Sequence, residues 1–193
     1  MASPHFNLCA PVDISSFLSH IKTEGLPFSS CIVYAIAKTA NAIPQFRWRI
    51  RKDKVIEHEL VHPSFSVPCR EEDVFSFCEV PYQDHLPSFL ETADQKIRER
   101  FDEPIFEDEA GRDDYLFLSA IPWVSFSSLQ HAMPMPADSV PRISWGKYYE
   151  LGEKVLMPLS IQAHHAIVDG KHTGQFFHTL QALLSNFPVS THS

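Results

Sequence analysis

Glycine is scarce: the 193 residues contain six. No G-x-G-x-x-G turn and no phosphate-cradling glycine loop ending in Lys-Ser or Lys-Thr can be written from them, which argues against nicotinamide and P-loop nucleotide sites. The four cysteines, Cys9, Cys31, Cys69 and Cys78, show no C-x-x-C spacing and none of the density of a small secreted scaffold, so free thiols are expected. No G-x-S-x-G turn presents a serine nucleophile. Nor does any stretch approach the roughly 20 apolar residues that span a bilayer, or the N-terminus show a basic segment followed by an apolar run. A cytoplasmic location without membrane contact is the plain expectation. Positive charge is also in deficit, 16 basic against 24 acidic residues for a net charge of -8, which argues against a nucleic-acid or anionic-membrane partner.

What is present is ordinary for a folded chain: 44% apolar and 21% charged residues. The length suits one domain over residues 1–193. Phe6 to Val12 reads as a strand, with Asp13 as a possible cap for a helix carrying Ile14, Phe17, Leu18 and Ile21 at helical spacing. A second helix, nearly apolar all round, is predicted from about Ser29 to Ala42 and should be buried on more than one side. Phe46 to Ile50 alternates as a strand would, with Phe46, Trp48 and Ile50 on one face and Arg47 and Arg49 on the other. Short strands follow around Ser64 to Val67 and Val74 to Cys78. Leu86 to Phe101 is amphipathic at helical period, and Glu103 to Asp114 forms an acidic linker, expected to be solvated rather than metal-binding. From Tyr115 onward the pattern predicts strands at Tyr115 to Ala120, Trp123 to Ser127, Arg142 to Tyr149 and Val155 to His165, then a helix from about His172 to Leu184. The sum is a mixed α/β (α+β) chain, a multi-stranded sheet with covering helices.

The densest chemistry lies in Gln162 to His172. Alternation along the last strand puts His165 with the apolar series Val155, Met157, Leu159, Ile161 and Ala163, and His164 on the opposite face with Ser160 and Gln162. The turn at Asp169-Gly170 then leaves His165 at a rim. There a neutral imidazole can take a proton from a hydroxyl, provided its other ring nitrogen is held in one tautomer. Asp169 could cap the last helix, accept an arginine partner or orient His165; sequence leaves all three open. The opposed directions of His164 and His165 make joint metal ligation awkward, so no metal is expected.

The run Gln162-Ala163-His164-His165-Ala166-Ile167-Val168-Asp169-Gly170-Lys171-His172 resembles the signature of the chloramphenicol O-acetyltransferase family. Leu118 to Phe126, Gly146 to Tyr149 and Lys154 to Ile161 resemble the same family, and Phe46 to Ile50 and Val61 to Ser76 match it more loosely. The resemblance implies a two-layer sandwich that assembles as a homotrimer with active sites between subunits, acetyl-CoA as co-substrate and a small hydroxylated acceptor such as chloramphenicol. It implies His165 as general base and Ser119 as hydrogen-bond donor to the oxyanion. Ser144 stands where the family has a threonine that helps through bound water. Trp123 and Tyr148 would lie against the coenzyme, and Asp169 corresponds to a structural aspartate paired with an arginine. That arginine belongs to an N-terminal stretch of family members with no counterpart here, so Asp169 is expected to be buried and short of its partner. A related His-to-Asp-Gly signature occurs in dihydrolipoamide acyltransferase cores, and a small-molecule-binding trimer without turnover is the non-enzyme alternative.

Overall fold

The last predicted strand, apolar on one side and polar on the other, becomes the centre of the molecule. In the computed structural model, which describes residues 4–70, 74–134 and 136–188, it runs as β9 over Lys154–His164. On one side it pairs antiparallel along its length with β1 (His5–Asp13), and on the other with β7 (Arg142–Gly146). β7 is parallel to β6 (Tyr115–Ile121), β6 is parallel to β4 (His62–Pro68), and β5 (Phe75–Glu79) closes the sheet antiparallel to β4. The order is β1-β9-β7-β6-β4-β5, with the short β8 (Tyr149–Leu151) folding back on β9. The sheet is mixed, and helices cover one of its faces.

Register decides what each face carries. Leu118, Ile143 and Ile161 are cross-strand partners, as are Ser119, Ser144 and Ser160, and Phe117, Arg142 and Gln162. Side chains alternate along a strand, so the first row and the polar rows lie on opposite faces. The apolar rows, with Leu116, Trp145, Met157, Leu159 and Ala163, merge with α1 (Ser15–Thr23), α2 (Phe28–Asn41), α4 (Leu86–Asp102) and α5 (Gly170–Ser185) into one core. As its all-round apolarity predicts, α2 is the most enclosed helix, with ten of its residues from Ser30 to Ala40 buried. The polar face is covered instead by the loop between β6 and β7. Cys9, Cys31 and Cys78 are free thiols. No described helix is long and apolar enough to cross a membrane.

Two sequence expectations fail. Phe46 lies not in a strand but in α3, a single turn over Pro44–Arg47 opened by Pro44, where a fixed φ favours the first helical position. Only Trp48–Arg51 is strand (β2), paired with β3 (Lys54–Glu57) in a hairpin outside the main sheet. There Trp48 and Ile50 share one face, half-buried, and Arg49 lies on the other, wholly enclosed, so the arginine's face is the buried one. Arg49 donates to the carbonyls of Asp113 (2.6 Å), Phe46 (2.9 Å), Trp48 (2.6 Å) and Tyr115 (2.5 Å). A guanidinium with five planar donors can staple several chain segments at once, which a hydropathy pattern does not reveal. Burial pulls its pKa down to about 10. Second, Trp123 to Ser127 is not a strand: β6 ends at Ile121 and the chain turns through Pro122 and Trp123. The Arg142 to Tyr149 strand is likewise broken after Gly146.

Candidate active site

Beyond Ala163 the two histidines part. His164, the last strand residue, sets its ring 5.2 Å from that of His5, its cross-strand partner. His165 enters the turn, with its backbone N–H donating to the Pro4 carbonyl at 2.9 Å. Its ring lies 4.9 Å from that of Phe6, a β1 residue paired with Ala163, so it keeps to the side of the apolar series. His165 Nδ1 lies 3.3 Å from the Val168 carbonyl. A carbonyl only accepts, so this hydrogen bond puts the ring proton on Nδ1 and leaves the Nε2 lone pair uncommitted. The imidazole is exposed and borders a shallow depression with Pro4, His164 and Ala166. Burial lowers the pKa of both His164 and His5.

The turn is held from its far end. Asp169 is the N-cap of α5, accepting from the backbone N–H of Lys171 (2.8 Å) and His172 (3.2 Å), while His172 Nδ1 accepts from the Asp169 N–H at 3.2 Å. This is a capping box with histidine in the place usually taken by glutamate. The expectation of a buried, partnerless Asp169 therefore fails: its side chain is 51% exposed, and helix N–H groups do the work of an arginine. Those N–H groups, His172 first, hold its carboxyl below the usual range.

Ser119 lies elsewhere. On β6 it faces a cavity of about 240 Å³ together with Ser64, Phe77, Phe117, His131 and Arg142. Its hydroxyl has no hydrogen-bond partner among the described residues. Ser144, its neighbour across to β7, is buried and lies 2.7 Å from His131 Nε2. Ser119 is level with Ser160, five residues before His165, and two strands away from β9. At about 3.3 Å per residue and about 4.8 Å between strands, the Cα positions of His165 and Ser119 are about 19 Å apart, and the side chains belong to opposite faces. Within one chain the two cannot act on one carbonyl.

Trp123 and Tyr148 are brought together. The backbone N–H of Lys147 donates to the Val124 carbonyl at 3.0 Å, tying the turn after β6 to the end of β7. Gly146 permits this approach: a Cβ there would lie 2.8 Å from the Val124 carbonyl oxygen and 2.9 Å from the Phe126 ring. Trp123 is 72% and Tyr148 44% exposed, and Val124 between them is exposed as well. Among the described residues, no three His, Cys, Asp or Glu side chains are grouped to hold a metal ion.

Sequence reading missed His131 as a site residue. Its loop has no period to betray it, but buried polar groups at Ser144, Ser160 and Gln162 on a covered sheet face required partners, and this loop supplies them.

Proteins of known sequence and structure resemble this chain. The family model described as chloramphenicol acetyltransferase matches residues 1–181. A chloramphenicol acetyltransferase of Klebsiella sp. is 32% identical over 177 residues, 91% of this chain and 81% of that protein. Chloramphenicol acetyltransferase 3 of Escherichia coli is 30% identical over 184 residues, 94% of this chain and 86% of that one. A solved chloramphenicol acetyltransferase superposes with a TM-score of 0.84 at 23% identity, covering 95% of this chain and 89% of its own. A probable dihydrolipoamide acetyltransferase from Listeria monocytogenes shares the fold at 15% identity, with a TM-score of 0.71 and coverage of 98% and 88%.

Proposed function

The chain belongs to the chloramphenicol acetyltransferase family, and on that premise we propose that it moves an acetyl group directly from acetyl-CoA to a hydroxyl of chloramphenicol or another small molecule. His165 is the general base. Its Nε2 takes the acceptor proton, the freed oxygen attacks the thioester carbonyl, and the tetrahedral intermediate collapses to ester and CoA thiolate, which takes the proton back from the imidazolium. The observation that carries this reading is the Nδ1 contact with the Val168 carbonyl, which leaves Nε2 as the free nitrogen of an exposed imidazole.

Ser119, whose hydroxyl proton is uncommitted, donates to the oxyanion. Ser144, level with it on the next strand, supports that oxygen through bound water. Asp169 is structural, fixing the turn that carries the base. The exposed Trp123 and Tyr148 receive the coenzyme. Because His165 and Ser119 are far apart and on opposite faces, the working unit is a homotrimer in which one chain's His165 meets another's Ser119. Buried free thiols at Cys31 and Cys78, whose pKa values burial pushes up to about 12 and about 11, suit the reducing cytoplasm.

The test is acceptor-dependent release of CoA thiol. The His165→Ala variant is expected to lose about 10²–10⁴-fold in kcat, and Ser119→Ala about 10²–10³-fold with little change in acetyl-CoA affinity. Retained turnover in His165→Ala sinks the base assignment. Transfer to dihydrolipoamide in preference to small alcohols, or acetyl-CoA binding with no turnover on any hydroxyl acceptor, rejects this reading.

A further inference from the structure

The loop that covers the polar sheet face is strapped down by side chains placed for that purpose. Gln162, itself buried, accepts from the His131 N–H at 2.7 Å and donates to the His131 carbonyl at 3.3 Å. Ser160 donates to the Leu129 carbonyl at 3.1 Å and accepts from Asn7 at 2.7 Å. The His131 ring is thereby set against Ser144 through Nε2, and Nδ1 has no partner among the described residues.

Facing it across the cavity is Arg142. Two of its nitrogens engage Asp138, at 2.9 and 2.7 Å, and Nη1 also donates to the Val140 carbonyl at 3.0 Å. A guanidinium has five N–H donors. The Nε–H and the second Nη2–H, which lie on one edge, have no partner among the described residues. The group is 5.2 Å from the Phe117 ring, which with Phe77 gives the cavity its apolar faces. Asp108 adds a carboxylate, held at 3.4 Å by the Ser64 hydroxyl.

Charge decides what these groups would accept. Arg142 and Asp138 cancel, so an anion gains little from the guanidinium and meets Asp108, while burial raises the pKa of Asp108 and weakens its hold on a cation. A neutral ligand with several hydroxyls can use the donor edge, the carboxylate and the imidazole together, and lay its C–H surface on Phe77 and Phe117.

We propose, building on the acetyl-transfer reading, that His131, Arg142 and Asp108 are acceptor-binding residues selecting a small, neutral, hydroxyl-rich acceptor of sugar type over an aryl acceptor with few hydroxyls, such as chloramphenicol. A site built to hydrogen-bond hydroxyls discriminates strongly against ligands without them, because its own polar groups are left unpaired.

CoA thiol release by the full chain is measured with methyl pyranosides and linear polyols beside chloramphenicol. At least one polyhydroxylated probe is expected to exceed chloramphenicol in kcat/KM by about tenfold or more. His131→Leu and Arg142→Val are expected to lower kcat/KM for that probe by about tenfold or more and shift preference toward chloramphenicol, with acetyl-CoA KM changing by less than about twofold. His131→Gln, which can still hydrogen-bond, recovers most of the loss. If chloramphenicol outperforms every polyhydroxylated probe, or the variants leave the preference unmoved, acetyl transfer stands and the inference is overturned. If no acceptor releases thiol although acetyl-CoA binds, both fall.

Discussion

The proposed sharing of one site between two chains makes a quantitative demand. The His165→Ala chain keeps Ser119, and the Ser119→Ala chain keeps His165, so each is inactive alone but the two are complementary. In a closed ring of three, each site takes His165 from one chain and Ser119 from its neighbour, and any two-plus-one hybrid holds one site with both groups intact. Co-expression with two different affinity tags and tandem purification isolates the hybrids. Their CoA thiol release should be about a third of the wild-type rate, against backgrounds at least about 10²-fold lower for either variant alone. The contrast rests on the separation of about 19 Å and the opposite facing of the two residues, which no side-chain rotation bridges. Hybrids no more active than the mean of the two parents would refute the shared site and return the chemistry to a single chain.

Arg49→Met removes four hydrogen bonds from a charged donor to enclosed carbonyls. A cost of about 3–5 kcal/mol is expected, by analogy with breaking a buried ion pair, and a fall in Tm of about 10 °C by calorimetry; a shift below about 3 °C contradicts the staple. Gly146→Ala forces the Trp123 turn away from Val124 and should raise the KM for acetyl-CoA about tenfold with a smaller change in kcat, readable in steady-state kinetics. Burial lowers the pKa of His5, His62, His131 and His164, so the unfolded chain binds protons there before the folded one does. Stability should therefore be full above about pH 6.5 and fall as pH drops below it, and a Tm constant from pH 7.5 to 5 would contradict this.

The periodic elements were legible because their patterns are local. The apolar helix α2, the amphipathic α4 and the strand bearing Met157, Leu159 and Ile161 all appear where 3.6- and 2-residue spacing puts them. Where long-range hydrogen bonding decides, local pattern is silent: the burial of Arg49 follows from the carbonyls of Asp113 and Tyr115, which arrive from more than sixty residues away. The Trp123 to Ser127 segment alternates like a strand but has no free edge to join, since Val124 is tied to Lys147. His165 and Asp169 stood out by their neighbourhood in the chain. The separation of His165 from Ser119 needed the strand order and register, and His131 could be found only by asking what satisfies Gln162.

The strap on the 129–131 loop holds backbone atoms alone: the Leu129 carbonyl and the His131 N–H and carbonyl. None of these bonds depends on which side chain residue 131 bears, so the position is a socket. Substituents there can be exchanged while the fastening stays in place, with the Ser144 hydrogen bond the one contact altered beneath it. A fold wired in this way can change the lining of the cavity by swapping one plug, without reopening the sheet beneath it.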